Sequence, residues 1–389
     1  MHSIEHVSFR FVLLAMLTSL GDVAVAADAD RRNLDAAVDD AARSLMGECR
    51  IPGLAIALTT DGKRRFYNYG VASKETKRAV TSDTLFEIGS ISKTFTATLA
   101  TEAEVEGRLS LRDSPSRHLP ELRGSSLDKV TLIQLATHTA GGFPLQLPDE
   151  IRNTEQLMAY FKAWQPTYAP GTERTYANPS IGLVGMVVAS SRKQSFAEAM
   201  EQHLLPELRM PNTFIDVPAS KIALYAQGYD KADAPVRVNP GVLADEAYGV
   251  KTSARDLIRF VEVNLDPGRE ARKIERAVLQ THTGYFKLGA MTQDLIWEQY
   301  AYPVSVDTLL AGSDAQVVYE SNPVVAIDPP QPPGQDVWMH KTGGTNGFSA
   351  YVALVPGQRL GIAVLANKNC PIEPRIRLAH RILDRAHRP

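Results

Sequence analysis

The chain has 389 residues, with 42 Lys and Arg against 44 Asp and Glu, a formal charge of −2. That balance gives no electrostatic reason to bind nucleic acid or an anionic membrane surface. With 44% hydrophobic and 22% charged residues, extended disorder is also excluded.

Residues 1–26 carry Arg10, an apolar run from Phe11 to Leu20 and the small-residue exit Ala24-Val25-Ala26. This layout predicts a secretory signal peptide cleaved before Ala27, because a run that short cannot span a bilayer, which needs about 20 apolar residues. The mature chain is then expected in the periplasm, with no membrane contact after cleavage. Two Cys are too few for a structural zinc cage, and nine scattered His include no HEXXH pair.

From Asp30 to Gly47, Leu34, Val38, Ala41 and Leu45 share one face at helical spacing, predicting an amphipathic helix that Pro52 ends. Gly53 to Leu58 and Arg65 to Gly70 flank Asp61-Gly62, a hairpin signal because a type I′ turn needs positive φ. Helices are expected at Ser92 to Gly107, Leu127 to Thr137 and Gln194 to His203. Near the C-terminus, Val337 to Lys341, Phe348 to Leu354 and Leu360 to Ala366 read as three strands, closed by a helix from Pro374 to Ala386. The organisation predicted is one composite α/β body. Its antiparallel sheet is drawn from about 27–88 and 310–389, with a mostly helical region of about 89–309 inserted between.

Three short elements could carry chemistry. Ser90-Ile91-Ser92-Lys93 opens a helix, so Ser90 and Lys93 share a face beside free N–H groups and the positive dipole end. A hydroxyl beside an amine there suits an activated nucleophile, although a Ser cap with an exposed Lys fits the same letters. Tyr176-Ala177-Asn178 offers a phenol that can relay a proton and an amide that can hold a carbonyl; a packed Tyr and a turn Asn remain open. His340-Lys341-Thr342-Gly343-Gly344 places a Lys at a strand end, with bare backbone N–H groups suited to an oxyanion or a carboxylate. A surface Lys before a Gly turn would read identically. Neither G-x-S-x-G nor a Gly-rich phosphate loop nor a dinucleotide fingerprint is present.

Ser-x-x-Lys followed far downstream by Lys-Thr-Gly characterises penicillin-binding proteins and class A β-lactamases. Here the middle element is Tyr-Ala-Asn instead of Ser-Asp-Asn, and the order and separations resemble the class C serine β-lactamases. Surrounding phrases carry the resemblance across the mature chain: Phe86 to Thr94, Leu135 to Gly142, Pro144 to Pro148, Glu246 to Lys251 and Leu365 to Asn369. It implies a β-lactamase/transpeptidase-like α+β fold, a β-lactam substrate, no cofactor, no metal and a monomer. Ser90 would attack the lactam carbonyl, with Lys93 and Tyr176 as a coupled proton relay assisted by Lys341. The N–H groups of Ser90 and Gly344 would form the oxyanion hole. Gln146 and Asn178 would bind the substrate side-chain amide, Tyr248 would border that pocket, and Thr342, Gly343 and Arg375 would meet the substrate carboxylate. Ile372 stands where many members carry an Asn, and His138 where a Tyr is common. Both departures bear on substrate profile. The resemblance also puts the first and last strands side by side, so Cys49 and Cys370, flanking their ends, can come within reach of a disulfide of structural role in an oxidising compartment; two separate buried thiols, serving as small core hydrophobes, are the open alternative. Two rivals share these motifs, a D-alanyl-D-alanine carboxypeptidase or esterase and a non-catalytic penicillin sensor.

Overall fold

The computed structural model describes residues 32–266 and 272–387, so the expected signal peptide lies outside the described residues. Helix α1 covers residues 32–49 and buries Leu34, Val38, Ala41 and Leu45, the face anticipated from spacing. The hairpin β1 (Gly53–Thr60) and β2 (Lys63–Gly70) follows. Asp61 and Gly62 have φ of 49° and 75°, both positive as a type I′ turn requires.

Three further strands lie late in the chain, β3 (Gly284–Leu288), β4 (Met291–Gln293) and β5 (Glu298–Ala301). Then come β6 (Val325–Gln331), β7 (Val337–Gly344), β8 (Ser349–Val355) and β9 (Leu360–Ala366). Together they form one nine-stranded sheet in the order β6-β3-β4-β5-β7-β8-β9-β1-β2. The pairs on either side of β9 are antiparallel, with Leu54 opposite Ala366 and Ser349 opposite Ala366. Both chain ends thus meet in one sheet, as expected. The inserted region is shorter than expected at its far end, because β3 to β5 fall inside 89–309 yet belong to the sheet. Those strands are short and interrupted by polar residues, so their period-two signal is weak.

Side chains alternate across the sheet. Leu54, Ile56 and Leu58 with Tyr351, Val355, Ile362 and Val364 pack on α1 and on the last helix, Ile372–His387. Ala55, Ala57, Val352, Leu354, Ala363 and Leu365 face the opposite core, with Phe260 and Val261 of helix Ala254–Leu265. Burying each large aliphatic chain contributes about 1.5–3 kcal/mol.

In the inserted region, α2 (Ser92–Val105) is almost wholly buried and packs beside α3 (Asn178–Arg192). Two expected helices are broken. Leu127 to Thr137 splits into a 3₁₀ turn, Ser126–Lys129, and helix Leu132–Ala136, which restarts on a Thr131/Gln134 capping box. Gln194 to His203 begins at a Ser195/Glu198 box and widens to a π turn over Ala199–Leu204. There Leu205 N–H reaches Met200 O, and Pro206 supplies the cause: it has no N–H, and its ring crowds the carbonyl of residue 202. Of the two alternatives left open for Cys49 and Cys370, the structure has the disulfide, with Cα atoms 5.6 Å apart. No helix among the described residues is long and apolar enough to cross a membrane.

Candidate active site

A 3₁₀ turn, Gly89–Ile91, leads straight into α2 and carries Ser90. Gly89 has φ of 49° and its Cα lies against the backbone of Gly344, while Gly343 lies against Ile88 O. A Cβ at either glycine would collide with backbone, so these residues let the end of β7 approach the start of α2.

Lys93 is fully buried, and its Nζ donates to Ser90 Oγ at 2.9 Å and to Ala247 O at 2.8 Å. Burial pushes its pKa down to about 8, with the Lys341 charge adding to the fall and Tyr176 opposing it. Tyr176 precedes α3. The Nζ of Lys93 lies 5.3 Å and that of Lys341 5.1 Å from its ring centre. Burial alone would raise the phenol, but Lys341, Lys93 and a hydrogen bond with Ser90 outweigh it and lower the pKa to about 8. Three predicted residues on three elements thus share one hydrogen-bonded space around the Ser90 hydroxyl, and Lys341 faces it from the sheet.

Lys341 is buried on β7, 3.6 Å from Glu298 on β5. Glu298 also meets Arg174 at 3.1 Å and His340 at 3.3 Å. Although burial opposes ionisation, Lys341, His340 and Arg174 hold its carboxyl well below the usual range. The sequence reasoning missed Glu298, Arg174 and His340 as a group. Their signal is cross-strand: Glu298 pairs with His340, and Arg174, in the short strand Glu173–Thr175, stands two residues before Tyr176 with its guanidinium carbon 5.6 Å from that ring centre.

Asn178 and Gln146 are brought together, Asn178 Nδ2 donating to Gln146 Oε1 at 2.8 Å. Asn178 Oδ1 is buried and has no partner among the described residues, which leaves an acceptor for an incoming N–H. These two, Tyr248, Thr342 and Ile372 border a cleft of about 1580 Å³ that also reaches Ser90 and Lys341. Arg375 also lines this cleft, with two of its guanidinium nitrogens bonded to backbone carbonyls. Nη1 donates to Gly343 O at 2.6 Å and Ala350 O at 2.7 Å, and Nε to Pro371 O at 3.1 Å. It braces the end of β7. His138 is buried with its ring 4.4 Å from that of Tyr176, and its Nδ1 accepts from Ala177 N–H at 3.3 Å.

Among the described residues one cluster has metal-ligand composition, Glu102, Glu106 and His203. Glu102 lies nine residues beyond Lys93 on α2, about 14 Å along the axis. Arg192 already sits 2.8 Å from Glu102 and 3.3 Å from Glu106, so a cation is built into that cluster.

A serine at a helix start, a buried lysine bonded to it and a phenol between two ammonium groups define a serine hydrolase of the acyl-transfer type. The beta-lactamase family model matches residues 38–387. A beta-lactamase of Lysobacter lactamgenus is 50% identical over 373 residues, covering 96% of this chain and 97% of that one. Among solved structures, a beta-lactamase/D-alanine carboxypeptidase from Pseudomonas syringae has 56% identity and a TM-score of 0.89, covering 90% of this chain and 99% of its own. A class C beta-lactamase in complex with cefoxitin has 48% identity and a TM-score of 0.88, covering 91% and 99%. The chain belongs to the beta-lactamase family and is a serine hydrolase of its class C type.

Proposed function

We propose that this protein is an exported monomeric hydrolase that opens the β-lactam amide of cephalosporins and penicillins through an acyl-enzyme on Ser90. The observation that carries this is the bond from Lys93 Nζ to Ser90 Oγ at 2.9 Å beside a phenol whose pKa is lowered to about 8. Ser90 Oγ attacks the lactam carbonyl carbon, and its proton passes to the Lys93–Tyr176 pair. These two titrate as a unit, so the proton belongs to the pair. The resulting oxyanion is held by the N–H groups of Ser90 and Gly344, where losing one donor typically costs about 10²–10³ in rate. The C–N bond then breaks, and the ring nitrogen takes the proton from that pair. Water attacks the ester and gives up its proton to the same pair, which returns it to Ser90 Oγ as the ester C–O bond breaks and the acid product leaves.

The buried, unpartnered Asn178 Oδ1 accepts the N–H of the substrate side-chain amide, with Gln146 alongside and Tyr248 at the border. Lys341 and Thr342 receive the carboxylate, Gly343 gives the strand end its close approach, and Arg375 acts by bracing that strand. Export is supported by the Ala24-Val25-Ala26 exit in the sequence and by the Cys49–Cys370 disulfide, which needs an oxidising compartment such as the periplasm.

Purified protein should hydrolyse a chromogenic cephalosporin, and Ser90→Ala should not. A second reading, D-alanyl-D-alanine carboxypeptidase, is favoured by the double description of the Pseudomonas syringae structure. The lifetime of the acyl-enzyme separates the two, since a peptidase stays acylated by penicillin whereas a lactamase turns over.

A further inference from the structure

The carboxylate of Glu87, three residues before Ser90, is completely buried and joins two pieces of the cleft wall. Its Oε1 accepts from Tyr225 O–H at 2.5 Å and from Val238 N–H at 2.8 Å. Its Oε2 accepts from Thr345 Oγ1 at 2.5 Å. Two of these partners, Val238 and Thr345, belong to different pieces of the cleft wall. Val238 lies within the stretch from Val236 to Leu243 that lines the cleft, as Tyr248 does. Thr345 directly follows Gly344, and its carbonyl is held by Asn369 Nδ2 at 2.7 Å. Glu87 itself ends the short strand Leu85–Glu87, opposite Lys251, and Ile88 N–H continues the contact to Val250 O at 3.1 Å. Tyr225 is fixed in turn by Arg237, stacked 4.0 Å from its ring centre.

We propose that Glu87 is a positioning residue for the hydrolytic reaction. Resting on the assignment of Ser90 and Gly344 to the oxyanion hole, it fixes the Gly344 N–H relative to Ser90 and sets the Val238 wall on the same carboxylate. Charge-assisted bonds of this kind are short and directional. A buried carboxylate with three donors is also intolerant of an apolar replacement, because every donor is left unpaired. A glutamine is different. Its Oε1 can keep Val238 and Tyr225, while its Nε2 can donate to the Thr345 hydroxyl.

The test compares the full chain with Glu87→Leu, Glu87→Gln and Thr345→Val, well below their melting temperatures. It reads kcat and KM for a cephalosporin, and Ki for a boronic acid that mimics the tetrahedral intermediate. Glu87→Leu should lower kcat about ten- to a hundredfold, the scale of a small misplacement of reacting groups, and weaken the boronic acid by a similar factor. Glu87→Gln should recover most of both. Thr345→Val, which removes only the strut beside Gly344, should lower kcat and boronic-acid affinity together while KM changes little. Unchanged kcat and Ki in Thr345→Val and Glu87→Leu, with only the melting temperature reduced, would overturn the proposal. Should Glu87→Leu not fold, Thr345→Val decides alone. A boronic acid that fails against the unmodified chain would instead refute the assignment of Ser90 and Gly344.

Discussion

Replacing Lys341 by Met keeps the length of the side chain and removes its charge. Its Nζ lies 5.1 Å from the centre of the Tyr176 ring. With an effective dielectric constant of about 20, a unit charge at that distance is worth ~3 kcal/mol, or ~2 pKa units. Tyr176 should therefore move from about 8 back toward the ordinary phenol value of 10.0. At pH 7 the phenolate fraction would fall from about one in ten to about one in a thousand, so kcat/KM should drop ~100-fold. Glu298 loses one partner but keeps Arg174 at 3.1 Å and His340 at 3.3 Å, so the fold should survive. The assay is the pH profile of kcat/KM between pH 5 and 10, roughly the span of the two pKa values. The rising limb near pH 8, a property of Lys93 and Tyr176 together, should shift upward in Lys341→Met and stay in place in Lys341→Arg. An equal loss at every pH with the limb unmoved would refute the electrostatic argument and leave Lys341 a substrate contact only.

Other consequences concern stability and specificity. Asp294 is fully buried, and neither carboxyl oxygen has a hydrogen-bond partner among the described residues; burial raises its pKa well above 3.8, with Lys287 opposing. The folded chain thus binds more protons than the unfolded chain above pH ~4, so this residue costs stability progressively as pH rises. Asp294→Ala should stabilise the protein at pH 7 by about 1–3 kcal/mol in urea denaturation, with the gain shrinking toward pH 4; a loss at pH 7 contradicts this. Under denaturing, non-reducing conditions no free thiol should react, and Cys49→Ser should lower stability by about 2–5 kcal/mol. Two reactive thiols per chain would remove the disulfide. Ile372, at the start of the last helix and on the border of the cleft, cannot hydrogen-bond a carboxylate. Ile372→Asn should change KM for cephalosporins by up to about tenfold, the range of one hydrogen bond, with little change in melting temperature; an unchanged KM for several substrates removes it from the site.

What the sequence made legible was local. Asp61-Gly62 announces its hairpin because positive φ is needed at both positions. Ser90 and Lys93 can be paired by helical spacing alone. The pairing of Cys49 with Cys370, and the convergence of Tyr176 and Lys341 on the cleft at Ser90, could be anticipated only through the family resemblance, since nothing in the spacing brings residues so distant together. Arg375 shows the limit of that route: its position in the chain carries over, but only the structure shows its Nε and Nη1 bonded to Pro371 O, Gly343 O and Ala350 O. Glu298, Arg174 and Glu87 were not legible, because a buried charge reads like a surface charge until its partners are in place. Glu87 falls within the Phe86 to Thr94 stretch, where the letters alone give it no role apart from its neighbours. The Thr131/Gln134 and Ser195/Glu198 boxes were in the sequence all along, and they mark where the two broken helices start.

The most direct test of the account is mass spectrometry of the protein mixed briefly with a slowly hydrolysed β-lactam and quenched in acid. One equivalent of the intact ligand mass should appear on the peptide that contains Ser90, decay as product forms, and be absent in Ser90→Ala. An adduct that persists in Ser90→Ala, or that maps to Ser92, would contradict the assignment of the nucleophile.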